Sequence, residues 1–412
     1  MSILLATTYT FIFLFIMSKL TFAISTKKLQ LFFLLKLLFG GIYAYIHYYH
    51  YEGDTWEYFK YGKILFDVFQ ESPVEFFRLT IMPRPNVIPA KWAEIADVIP
   101  YWYQSSGYTM IRIQAILHFF SLGNYPVHVV FWNFFSTLGL AYIYTSIRKL
   151  HKDDNSVLLY SIFLIPSFLF WGSGVHKEAV CFFSLGIILH HSLKLIKEPT
   201  RLFRWALVLS NAFLLLLIRP YAFLLFLPIL LTLAWCRNNS KAVLGKYAVI
   251  YAASSIFVII ISTFTSFNVF EKIRRMQEVY YKYYIGASDV SIPRVDADLT
   301  SILMAAPTGF YNVVFRPTYW DTQNFLASLA FWETYILLAL FLFFFIYGRF
   351  VLAEKQILFY GFLFFSITYI LLIGITINNL GAIVRYRSVP YLFLLSALWM
   401  LYSEKKNSAK TP

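Results

Sequence analysis

Long apolar runs separated by short polar segments fill most of this chain. They lie at 3–17, 29–47, 125–147, 157–171, 179–196, 203–235, 246–266, 327–347, 356–376 and 388–402. An α-helix of about 20 apolar residues crosses a hydrocarbon core of about 30 Å. The run at 203–235 is long enough for two crossings and is interrupted by Arg219-Pro220. Proline lacks a backbone donor, and the residue before it avoids the helical region. Two short helices meeting at Arg219 are therefore predicted, a broken pair. Residues 3–17 have no basic leader and no Ala-x-Ala site, so they read as a retained span rather than a signal peptide. The pattern predicts an all-α, polytopic transmembrane helix bundle of about 11 spans, one integral-membrane domain over 1–412.

Two regions break the pattern, 48–124 and 267–326. Both read as large outer loops containing short helices. Residues 109–122 carry Arg112, Gln114 and His118, too polar and too short to span, and predict an interfacial helix. The second region opens on an amphipathic stretch from Glu271 and is rich in tyrosine, with Tyr280, Tyr281, Tyr283 and Tyr284.

Composition strengthens the membrane reading. Of 412 residues, 59% are hydrophobic and 14% charged, with a mean hydropathy of +0.63. Soluble domains carry about 25% charged residues. The net charge of +14 raises the question of an anionic partner such as nucleic acid. Alternating the loops across the membrane puts 18 Lys and Arg against 5 Asp and Glu on one side, and 16 of each on the other, with Lys36 alone inside a span. The excess is thus a topology signal that places the basic loops in the cytoplasm, and no nucleic-acid partner is needed to explain it. Cys181 and Cys236 both fall in or beside apolar runs, so no disulfide framework is expected.

The candidate chemistry gathers on the outer side. The stretch His-Tyr-Tyr-His-Tyr-Glu-Gly-Asp at 47–54 follows the second span and holds Glu52 and Asp54, the first carboxylates of the chain. Trp56, Glu57 and Tyr58 come next. His176-Lys177-Glu178, Arg219, Arg316 with Asp321, and Arg385 with Arg387 fall on the same side. Polar groups near lipid are costly and tend to be kept for function. A carboxylate can act as general base toward an acceptor hydroxyl. Guanidinium and ammonium groups bind phosphate oxygens and offset charge on a departing phosphate. Each residue also has a plainer role open to it. Asp54 could cap a helix beginning at Thr55, Lys177 and Glu178 could pair locally, and Arg219 could satisfy carbonyls at the helix break. His47, His50, Glu52 and Asp54 are ligand types that suit a divalent metal, but their spacing matches no specific site.

On these residues the chain resembles the GT-C superfamily of polyprenyl-phosphate-sugar-dependent membrane glycosyltransferases, which have many spans and an acidic residue just after a span in the first large outer loop. The resemblance rests also on Phe170-Trp171-Gly172-Ser173-Gly174-Val175-His176-Lys177-Glu178 and on Arg385-Tyr386-Arg387-Ser388-Val389-Pro390. It implies Asp54 as base assisted by Glu52 or Glu57, with His176, Lys177, Glu178, Arg219, Arg316, Arg385, Arg387, Trp56 and Tyr58 around the substrate. The donor would be a polyprenyl-phosphate-linked sugar and the acceptor a glycan, lipid or protein outside the cytoplasmic membrane. The chain departs from the best-known members in lacking a paired acidic dipeptide in the first loop. It also resembles Wzy- and EpsG-like polysaccharide polymerases, which join lipid-linked repeat units. A lipid or polysaccharide transporter is a third reading. Against it, the spans are nearly free of acidic residues, and no repeat-related pair of broken helices is found. The expectation common to the enzymatic readings is that these scattered residues line one cavity at the outer rim.

Overall fold

The computed structural model describes residues 2–49, 53–82, 90–150, 156–237, 241–283, 288–322, 324–348 and 356–408. Its helices are α1 (Ser2–Lys19), α2 (Thr26–Tyr49), α3 (Asp54–Glu71), α4 (Pro73–Ile81), α5 (Ala90–Val98), α6 (Ser105–Ser121), α7 (Tyr125–Leu150), α8 (Ser156–Phe163), α9 (Pro166–Trp171) and α10 (Lys177–Lys197). They continue with α11 (Leu202–Ile218), α12 (Pro220–Trp235), α13 (Val243–Phe264), α14 (Val269–Tyr283), α15 (Leu299–Val314), α16 (Phe325–Tyr347), α17 (Gln356–Thr376), α18 (Leu380–Tyr386) and α19 (Ser388–Ser408). A short 3-10 turn covers Tyr319–Asp321, and one antiparallel bridge pairs Asp289 with Asn379.

Among the described residues seven helices, α1, α2, α7, α10, α13, α16 and α17, are long and apolar enough to cross a membrane. The helices α11, α12, α15 and the apolar part of α19 are shorter. Large apolar side chains stand uncovered on these helices, among them Phe11 (67% exposed), Phe264 (80%) and Phe345 (71%). Such surface is unfavourable in water and neutral in hydrocarbon, which marks the chain as a membrane protein.

The first of the two regions that interrupt the apolar runs holds α3, α4, α5 and α6. Two stretches differ from the sequence pattern. Residues 157–171 form two short helices, α8 and α9, because Pro166 cannot continue the helix before it. The helix expected at the interface is α6, and its polar residues Gln114 and His118 are fully buried instead.

The chain divides into two compact units. The first comprises Met1–Thr145, Leu169–His191 and Arg201–Phe223, and the second Ser146–Phe168, Ser192–Thr200 and Leu224–Pro412. In the first, α3 packs on α6 and α4 around buried Tyr58, Leu65, Phe76, Trp102, Tyr108 and Ile111. Local signals place these helices. Ser72 accepts from the Glu75 amide at the start of α4, with Pro73 as the first helical residue. Leu122 and Gly123, both with positive φ, stop α6.

The helices α7 and α10 cross at Gly139 and Gly186, where a Cβ on Gly186 would lie 2.2 Å from the Gly139 carbonyl oxygen. Small residues let backbones approach this closely in membranes. Gly186→Leu is expected to cost at least about 1–3 kcal/mol by overpacking, read as a lower midpoint of thermal unfolding in detergent. An unchanged midpoint would mean the crossing is looser than the structure has it.

A buried polar network ties α3, α6 and α7 together. The His118 Nε2–H donates to the Phe59 carbonyl at 3.1 Å, and His128 Nδ1 donates to Gln114 Oε1 at 2.6 Å. The Ser121 hydroxyl donates to His128 Nε2 at 2.8 Å. Burial holds the His118 imidazole below its ordinary value of 6.5. The folded protein therefore resists a proton that the unfolded chain accepts. His118 costs nothing at high pH, and stability falls as the pH drops below about 6.5. Melting from pH 8 to pH 5 should show this loss, and His118→Gln should reduce it. An equal loss in that variant would clear His118 of the effect.

In the second unit α17 packs against α15, α19 and α13, and α16 against α19. The α15–α17 contact is again glycine on glycine, Gly309 against Gly374. Asp298, Asn324 and Asn379 cap α15, α16 and α18 through their side chains.

Candidate functional site

The first unit holds most of the residues singled out from the sequence. Asp54 is the first residue of α3, and Gly53 is its N-cap, so Asp54 itself does not cap the helix. One turn on, Glu57 projects from the same helix. The Tyr101 hydroxyl donates to Asp54 Oδ1 at 3.1 Å and makes a short hydrogen bond to Glu57 Oε2. One phenol thus bridges two carboxylates from α3. Burial and the two nearby negative charges push the Tyr101 phenol far above its ordinary range, so it stays a proton donor. Glu52 and His50 lie outside the described residues.

Lys177 opens α10. Its ammonium donates to Ser106 Oγ at 3.0 Å and lies 5.8 Å from the centre of the Tyr58 ring. Tyr58 in turn lies 5.3 Å from Tyr101. Tyr58 is fully buried, so it is a wall behind the carboxylates rather than a surface for a ligand. Trp56 faces the other way. It stacks on Tyr125 at 3.9 Å, donates from Nε1 to the Ala44 carbonyl, and lines an apolar groove of about 450 Å³. Leu37, Ala44, Tyr45 and Tyr48 of α2 and Val129 of α7 form much of its wall.

Behind the acidic pair runs a second buried chain of polar groups. The segment Gly172 to His176 between α9 and α10 is irregular and wholly buried. Irregular backbone at membrane depth persists only where protein satisfies it. Here the Gly172 carbonyl accepts from Lys36 Nζ and Ser136 Oγ, both at 2.8 Å, and the Ser173 carbonyl accepts from Asn133 Nδ2 at 2.8 Å. Tyr43 makes a short hydrogen bond to His176 Nε2, and His47 stacks on Tyr43 at 3.9 Å. His176 lies 4.0 Å from Glu178, whose other carboxylate oxygen accepts from Arg219 at 2.7 Å. Arg219 also donates to the Tyr221 hydroxyl at 2.6 Å and is 7% exposed. His176, Glu178 and Arg219 therefore form an interior relay, while Asp54, Glu57 and Lys177 are partly exposed.

Arg316, Arg385 and Arg387 belong to the second unit. Arg316 grips Asp321 through two hydrogen bonds, one from Nε at 3.0 Å. Burial opposes ionisation of Asp321, but hydrogen bonds from Arg316 and from Thr318 outweigh it and hold the carboxyl down at about 2. Arg387 is 2% exposed and donates to the carbonyls of Val313 and Arg316 and to Thr334 Oγ1. Its guanidinium is committed to holding backbone. Arg385 donates to the Tyr386 hydroxyl, which also receives the Tyr280 hydroxyl.

Tyr101, Ser106 and Tyr43 are the site residues not singled out from the sequence for chemistry, whereas Glu57 is the assisting carboxylate that the resemblance implies. Lys36 carried a signal, a lone charge inside an apolar run, which asks for a buried partner. Among the described residues no group of three or more His, Cys, Asp or Glu is placed to hold a metal. No family model, no curated protein and no solved structure matches the chain.

Proposed function

We propose that this protein is a membrane glycosyltransferase that moves a sugar from a polyprenyl-phosphate-linked donor to an acceptor hydroxyl, working on the outer face of the cytoplasmic membrane. One observation carries the reading. A bridged carboxylate pair, Asp54 and Glu57, stands one residue either side of the pair Thr55-Trp56, and Trp56 walls an apolar groove open between α2 and α7. A substrate with a hydrocarbon tail and a polar head fits that juxtaposition. The tail lies along Leu37, Ala44 and Tyr48, and the head reaches the α3 N-terminus.

The proposed chemistry follows from the side chains. Asp54, partly exposed, takes the proton of the acceptor hydroxyl as its oxygen attacks the anomeric carbon. The bond from that carbon to the phosphate oxygen breaks, and the phosphate leaves with the electron pair. The α3 N-terminus and Lys177 offset the charge that develops there. Tyr101 keeps the two carboxylates at a fixed separation. Arg219 and Glu178 position the start of α10, and so Lys177, from behind.

The test is transfer by the purified protein in liposomes, given a polyprenyl-phosphate sugar and no ion gradient. Sugar incorporation into an acceptor is expected. Movement of the lipid across the bilayer without any new glycosidic bond would favour a transporter and overturn the reading.

A further inference from the structure

The second unit contains a cavity of about 590 Å³ that the transfer chemistry leaves unused. Tyr311, Tyr319, Trp320, Phe331 and Tyr335 line it, and the Arg316–Asp321 pair forms its polar part together with Thr318. From the geometry of this cavity we infer that it is a saccharide-binding subsite, which takes a pyranose ring of a neutral glycan.

The rings are unusually open. Trp320 is 84% exposed, Tyr319 68% and Tyr311 49%. Tyr319 and Phe331 lie 6.4 Å apart between ring centres, and Phe331 and Tyr335 4.9 Å. The polar part is fixed in advance. Asp321 Oδ2 accepts from the Thr318 amide at 2.7 Å and from its hydroxyl at 2.8 Å, and the Thr318 side chain accepts in return from the Asp321 amide, which closes a capping box around the turn that carries Tyr319 and Trp320. Beneath it, Arg387 holds the Arg316 carbonyl at 2.6 Å and Tyr391 donates to that of Val313. The aromatic residues thus stand on a braced floor, as a preformed site requires.

Ligand chemistry follows from what remains unspent. Arg316 uses Nε and Nη2 on Asp321, and among the described residues Nη1 meets no protein acceptor. Asp321 Oδ1 accepts one hydrogen bond and retains a second lone pair. The hydroxyls of Tyr311, Tyr319 and Tyr335 make no hydrogen bond among the described residues. A simple anion is poorly matched, because Arg316 is already neutralised by its carboxylate. A hydrocarbon chain is poorly matched too, since it would strip water from unsatisfied donors. A pyranose offers both halves. Its C–H face lies on aromatic rings, and its hydroxyl edge both donates and accepts.

The inference is independent of Asp54 and is tested by binding alone. The full chain in lipid nanodiscs is titrated with maltohexaose, cellohexaose and chitohexaose by calorimetry. At least one is expected to bind, and Trp320→Ala with Tyr319→Ala is expected to weaken that binding at least tenfold. Both side chains are exposed, so the variant should melt as the parent does. Asp54→Asn should bind as the parent does, so a failed transferase reading and a failed subsite give different results. Binding of none of the three probes overturns the inference, as does binding that survives the double substitution within twofold. Quenching of Trp320 emission by brominated lipid, judged against Trp320→Phe, also overturns it, because the rings would then lie in the bilayer.

Discussion

Asp54→Asn is expected to lower the rate of sugar transfer by about 10²–10⁴ with little change in stability, the range seen when a positioned base is lost. The small structural cost follows from the geometry. Asp54 is partly exposed at the first turn of α3, and an asparagine oxygen can still accept from the Tyr101 hydroxyl. Glu57→Gln separates two possibilities. If Asp54 alone takes the proton, Glu57→Gln should cost far less, since its part is to share the Tyr101 proton. If the pair acts as one unit, both variants should fall alike and the double variant should be no worse than either. Tyr101→Phe removes the hydroxyl that both carboxylates share and is expected to lower the transfer rate less than Asp54→Asn does. The measurements are initial rates in liposomes with a fixed donor concentration. A fully active Asp54→Asn would remove Asp54 from the chemistry whatever its place in the fold.

The sequence made some levels of this structure readable and hid others, for physical reasons. Runs of apolar residues specify helices in lipid directly, and Arg219-Pro220 specifies a break, because proline removes a backbone donor whatever surrounds it. Short helices are expected in the region of α3 to α5, but their bounds are not legible, because their apolar faces are interleaved with charge and they gain stability by burial in a core shared with α6 rather than from a run of their own. The polar residues of α6 looked interfacial because sequence shows polarity but not pairing. Gln114, His118 and Ser121 find partners on α3 and α7, which makes their burial tolerable. The site divides in the same way. Asp54 stands out with Glu52 as one of the first carboxylates of the chain, just after a span. Glu57 and Tyr101, 44 residues apart, become a pair only through packing. Arg387 has the same residue type as Arg316, yet three protein acceptors claim it, and nothing local in the sequence marks that difference.

Arg219→Met is expected to destabilise the protein by about 3–5 kcal/mol, because it leaves the Glu178 carboxylate buried without its guanidinium partner. The side chains are 8% and 2% exposed, so water cannot easily take over. Glu178→Gln with Arg219→Met removes both charges together. It should recover most of the loss, since a buried ion pair seldom outperforms a neutral pair of similar shape. Thermal unfolding in detergent measures both. Transfer activity of the double variant then decides what the pair is for. If Arg219 binds the lipid phosphate, as the resemblance implies, the double variant is stable and inactive, and Arg219→Lys keeps part of the activity. If the pair only positions α10, the double variant is stable and transfers at close to the parental rate, because Lys177 still reaches Ser106. The burial of Arg219 beneath Glu178 favours the second result, since a phosphate would first have to displace a carboxylate already held at 2.7 Å.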